Sequence, residues 1–166
     1  LASGSYPATV LGQIETAQLK SSGRIGSLHQ LADFSQEVRM TFSGIATSDA
    51  EIANHPDRVL KVMRAAMKGI ALAKVARETT IDAIMKHGNP DRGSAEVDYD
   101  ITAHELTDTG TMEDSDLVFE LKLRGDVLGV PPEKILGHEK VFDFSFVKKA
   151  VAQLKAEGWK PDAGKK

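Results

Sequence analysis

Cysteine is absent from the 166 residues, which excludes disulfides, thiolate nucleophiles and Cys-ligated metal sites. The same absence leaves the redox compartment open, since it suits the cytosol and suits many exported bacterial proteins. Basic charge is not in excess either: the net charge is −3 and the isoelectric point is near 6.0. Neutralising nucleic-acid phosphates needs clustered Lys and Arg, so a nucleic-acid partner is not expected. No apolar run approaches the roughly 18 residues of a membrane span. The opening Leu1-Ala2-Ser3-Gly4 has no initiator Met and no signal-peptide pattern, and it leads straight into a strand-like run. That start reads as a cut inside a folded region. Repeats and low-complexity tracts are missing, and the length fits one core with ordinary globular composition.

Strand-like segments are also scarce. Ala8–Leu11 is one, and Val38–Ala46, marked by Val38, Met40, Phe42 and Ile45, is the other. Between them, Gly12-Gln13 reads as a turn, Ile14–Ser21 as a helix, and Arg24–Phe34 as a short extended segment followed by a loop. The remainder is helical in pattern. Ser48-Asp49-Ala50-Glu51 spells a capping box. Pro56 suits the first position of a long helix with Val59, Met63, Ala66, Met67 and Ile70 inward. Thr79-Thr80 opens another with Ile81, Ile84 and Met85 inward, and Gly88-Asn89-Pro90 stops it. A weaker helix lies within Ser94–Leu106, anchored by Val97, Tyr99 or Ile101, and Leu106. Leu117, Leu121 and Leu128 mark one behind the acidic stretch Glu113–Asp116, and Pro131-Pro132 breaks the chain after it. Asp143 caps a last helix lined by Phe144, Val147, Val151 and Leu154, and Gly158 ends it. Helices in this number need a sheet to cover, and two strands cannot form an independent layer. The expectation is therefore part of a larger α/β protein, and the isolated chain is expected to self-associate through apolar faces meant for that sheet.

The chemistry-bearing patterns are few. His104-Glu105 and His138-Glu139 begin like a zinc-protease motif, but Asp108 and Phe142 stand where the second His belongs, so no metal site is expected. The acidic stretch Asp108, Glu113, Asp114, Asp116 lacks the ligand alternation of a calcium loop and reads as capping. Thr41-Phe42-Ser43-Gly44 is not a nucleophile elbow, and Gly23-Arg24-Ile25-Gly26 is not a phosphate loop. The Met63 and Met67 pair reads as core filling, and Trp159 as packing over a helix end. Ligands of open α/β sheets bind beyond the carboxyl ends of strands. Gly12 and Gln13 after the first strand, with Thr41, Phe42 and Ser43 at the second, are therefore the candidate ligand-binding residues.

Three blocks carry a family resemblance. Val141-Phe142-Asp143-Phe144-Ser145-Phe146-Val147-Lys148-Lys149-Ala150 through Gly158-Trp159-Lys160-Pro161 resembles the C-terminal helix of periplasmic solute-binding proteins of ABC transporters, in the nitrate, sulfonate, taurine and thiamine-precursor group. Ser3–Leu11 is similar to that group's strand, with Pro7 where an Asp is usual. Phe42–Thr47 followed by His55-Pro56-Asp57-Arg58-Val59 is similar to the strand and long helix that come next. The resemblance implies the C-terminal half of a type 2 periplasmic binding fold, an α/β class rich in helices. Residues 1–23 would end lobe two, 24–40 would cross the hinge, and 41–166 would complete lobe one. It implies a non-enzymatic, periplasmic or extracytoplasmic importer component without a cofactor. Its partners would be a small polar or anionic ligand in an inter-lobe cleft, a permease, and the N-terminal half of the same protein. Thiamine-pyrimidine synthases and regulator effector domains share the architecture; the former carry a Cys-rich motif that is absent here.

Overall fold

Ser48 sets the first firmly anchored helix. Its hydroxyl accepts the Glu51 N–H at 3.1 Å, satisfying one of the amide donors that a helix start leaves unpaired. In this computed structural model, residues 7–32, 43–88 and 91–162 are described. Among them lie α1 (Gln13–Ser21), α2 (Asp49–Asn54), α3 (Pro56–Val75), α4 (Arg77–His87), α5 (Arg92–Thr102), α6 (Asp114–Leu128), α7 (His138–Val141) and α8 (Ser145–Ala156), with single 3₁₀ turns at Arg24–Ser27 and Pro132–Lys134. Replacing Ser48 with Ala is expected to cost about 1 kcal/mol, read by urea denaturation, while Ser48→Asp retains the cap. Only half of the expected capping box forms, because Glu51 turns its carboxylate to Arg58 instead.

The chain divides into two compact units. One comprises Leu1–Leu31, Lys68–Leu106 and Lys160–Lys166, and the other Ala32–Met67 and Thr107–Trp159, so α3 contributes residues 56–67 to the second and 68–75 to the first.

In the first unit α5 packs on both α1 and α4. Asp91 caps α5 by accepting the Ser94 N–H at 2.9 Å, and this fixes where Ser94 and Ala95 become buried. Ile81 of α4 is wholly buried. The Tyr99 hydroxyl donates to the Ala73 carbonyl at 3.0 Å, and Lys74 Nζ donates to the Leu106 carbonyl at 3.0 Å, tying the last turns of α3 to α5 and the segment behind it. Outside this core, Arg92 bridges Glu78 and Glu96. Arg77 bridges Asp100 at 3.1 Å and lies over the Tyr99 ring. The hydrogen bond from Arg92 holds the Glu78 carboxyl below the usual carboxylate range. These exposed pairs fix register more than they stabilise.

In the second unit Leu60 and Met67 of α3, Leu117 of α6, and Val147, Ala150 and Leu154 of α8 are buried. Arg64 donates to Gln153 at 2.9 Å and Glu157 at 2.7 Å, fastening α3 to the end of α8. Helices α6 and α8 both stop in a Schellman turn. Gly129 (φ 67°) is followed by a Val130 N–H bond to Gly125 at 2.8 Å, and Gly158 (φ 62°) by a Trp159 N–H bond to Leu154 at 3.0 Å. Asp143, the expected cap of α8, accepts the Ser145 N–H at 2.8 Å, but the N-cap position falls one residue later, at Phe144.

The expected α/β class is corrected here: the described residues are helical and contain no strand, so this is not a type 2 periplasmic binding fold. Ala8–Leu11 runs without a pairing strand, with Val10 and Leu11 exposed. The described part of the second segment, Ser43–Ala46, is likewise unpaired and exposed, while Val38–Phe42 lies outside the described residues. The physical reason is that β-branched and apolar composition makes a strand only where a neighbour completes the backbone hydrogen bonds. Without one, these runs stay irregular, and the helices bury their apolar stripes on one another.

Candidate functional site

Gly12, an expected ligand residue, is the N-cap of α1 with extended backbone (φ −76°, ψ 174°), and Gln13 is the first residue of that helix. The two therefore sit together at one helix start in the first unit. Ser43 belongs to the second unit, exposed on irregular backbone. Thr41 and Phe42 lie outside the described residues.

A Cβ at Gly12 would meet only the carboxylate end of the exposed Glu15 side chain, which can swing aside. The Gly12 carbonyl accepts both the Thr16 N–H at 3.0 Å and the Thr16 hydroxyl at 2.8 Å, anchoring the first turn.

Along the side of α1 runs an open depression of about 460 Å³. Leu11 and Leu19 supply apolar wall, while Glu15, Gln18, Ser22 and Arg24 supply polar groups. The Ser22 hydroxyl donates to the Leu19 carbonyl at 3.1 Å, which leaves its lone pairs toward solvent. The hollow is open to solvent, and its lining mixes apolar wall with a few polar groups.

Arg24 distinguishes this hollow from the rest of the surface. Of the six arginines among the described residues, five hold a carboxylate: Arg58 with Glu51, Arg64 with Glu157, Arg77 with Asp100, Arg92 with Glu78, and Arg124 with Glu120. Arg24 forms no ion pair with any described residue. A second hollow, of about 510 Å³ in the other unit, is lined by Asn54–Arg58 and Lys61. Its guanidinium is already engaged: Arg58 grips Glu51 through two bonds of 2.5 and 2.7 Å, which holds the Glu51 carboxyl below its ordinary range. The site beside α1 is therefore the one with an unspent planar donor fork.

None of the expected ligand residues lines this hollow, although Gly12 and Gln13 stand next to it in sequence; Glu15, Gln18, Ser22 and Arg24 were missed. A signal was present. Arg24 is the first arginine in the chain, and no acidic residue stands three or four positions from it on either side.

Comparison of the chain with protein-family models, with curated proteins and with solved structures finds no match.

Proposed function

We propose that this chain is a non-enzymatic binding protein for a small polar or anionic solute, held beside α1 with Arg24 as the principal anchor. The role of solute receptor for an importer permease follows from the resemblance of the three sequence blocks. The described residues contain no strand from which the sheet-built lobes of that group could form, so the ligand site is assigned to the hollow bordered by Arg24 and Glu15. The observation that carries the reading is the uncommitted Arg24 at the edge of that hollow.

A guanidinium presents parallel N–H donors that match a carboxylate, a sulfonate or a nitrate. Glu15 borders the same hollow and repels a purely anionic molecule. The favoured ligand class is thus a small molecule bearing an acidic group for Arg24 and an amine or hydroxyl donor for Glu15, flanked by Leu11 and Leu19. An aminosulfonate such as taurine fits that description; nitrate and an aminopyrimidine probe the other members of the group.

Titration calorimetry with these three compounds tests the reading. Saturable binding of the aminosulfonate is expected, and Arg24→Gln is expected to weaken it by about 10- to 100-fold, the worth of a charge-assisted hydrogen bond. Glu15→Gln is expected to weaken aminosulfonate binding while leaving any nitrate binding intact or improved. Absence of saturable heat for all three compounds, or binding indifferent to Arg24→Gln, overturns the assignment.

A further inference from the structure

Helix α6 carries apolar residues on every side. Leu117 is buried, and Leu121 and Leu123 are half-buried within the second unit. On other sides Val118 and Phe119 remain 54% and 49% exposed. A helix that is apolar all round is ordinarily covered all round. The second unit covers α6 on the side where Gly125 meets Ile135 and leaves the Phe119 side open.

That open side has a regular composition. Ser115, Phe119, Lys122, Asp126 and Gly129 recur at alternating spacings of four and three, the interval that keeps a stripe facing a partner helix, and all five are exposed. Lys122 and Asp126 form no ion pair with any described residue, and Lys N-terminal to Asp is the weaker order for pairing within one helix. Gly129 stands just past the last residue of the helix, and a Cβ there would meet nothing within 4 Å, so that end of the stripe is open.

We propose that this stripe pairs with the same stripe of a second copy, antiparallel, about a two-fold axis at the level of residue 124. In that register Lys122 faces Asp126 of the second copy, and Asp126 faces its Lys122. Phe119 lies over Gly129 of the copy, where no side chain obstructs it, and Val118 lies along its Val130. The contact is isologous, so each attraction occurs twice from one patch. Charge order decides the direction: a parallel pairing would set Lys122 on Lys122 and Asp126 on Asp126. One helix face is a small interface, and the dimer is a weak, concentration-dependent one.

Sedimentation equilibrium on the full chain, from micromolar to submillimolar concentration, tests the pairing. The unmodified chain is expected to show a reversible monomer–dimer equilibrium. Lys122→Asp and Asp126→Lys, each alone, set like charges against each other and are expected to weaken the dimer by roughly tenfold or more. The double exchange restores opposite charges and is expected to recover most of the loss. Phe119→Ser is expected to weaken it by a similar factor. Because these side chains are exposed, far-UV circular dichroism of each variant should match that of the parent. A monomer throughout the range overturns the proposal. A dimer indifferent to both single exchanges, or one that the double exchange fails to rescue, overturns it equally.

Discussion

Gly110→Ala is expected to destabilise the unit containing α6 and α8 by about 2–5 kcal/mol, combining a left-handed backbone penalty with overpacking of a closed core. Gly110 has φ 69°, a conformation that a Cβ opposes. The same Cβ would stand 2.5 Å from Val147 Cγ2 and 3.1 Å from Met67 Sδ. Met67 can move its thioether, but Val147 cannot yield easily. It is buried in α8, and a β-branched side chain in a helix has essentially one rotamer. The Thr107 hydroxyl further pins the turn, accepting the Thr109 N–H at 3.1 Å and the Gly110 N–H at 2.9 Å. The control is Gly158→Ala, in the same unit at φ 62°, where a Cβ meets nothing within 4 Å. That change is expected to cost only the backbone part, about 1–2 kcal/mol. Urea denaturation followed by the fluorescence of Trp159, the chain's single tryptophan, measures both; equal losses would refute the packing argument.

Ile81→Ala is the second large effect, expected to cost about 2–5 kcal/mol by removing buried methyl groups and leaving a cavity. Ile81 is fully inaccessible on α4, the helix that packs with α5 in the first unit, so the volume removed lies wholly inside that unit. Ile81→Val, which removes one methylene, is expected to cost about 0.5–1.5 kcal/mol. Far-UV circular dichroism in urea gives both numbers. A loss below about 1 kcal/mol for the alanine variant would mean that the α4–α5 core is not closed as described.

Much of the helical architecture was legible. The Ser48 cap, the start of α3 at Pro56, the burial of Ile81, Leu117, Val147 and Leu154, and the stop at Gly158 all follow from local rules that operate within a turn or two of helix. Where the reading failed, tertiary contacts were deciding. The break between α3 and α4 falls at Ala76, with neither Gly nor Pro to announce it, rather than at Thr79-Thr80. Leu128, one of the three leucines that mark α6, is 76% exposed although it shares the face of the buried Leu117, because it is the last residue of the helix. Glu120 takes an inward place instead, paired at 2.8 Å with Arg124, an exchange that no hydrophobic pattern foretells. The candidate site was not visible: none of Gly12, Gln13, Thr41, Phe42 and Ser43 lines the hollow, and Arg24 gains meaning only when every other described arginine is seen to be engaged.

The sequence by itself determined some helix ends, at Ser48, Pro56 and Gly158, because caps, prolines and glycines act on the backbone groups of their immediate neighbours. It also determined the absence of thiol chemistry. The strands were beyond it. A strand exists only when a second segment supplies the other half of its hydrogen bonds, and that partner is a tertiary fact. In this protein the two apolar runs that suggested a sheet find no such partner among the described residues, and the helices close on each other instead.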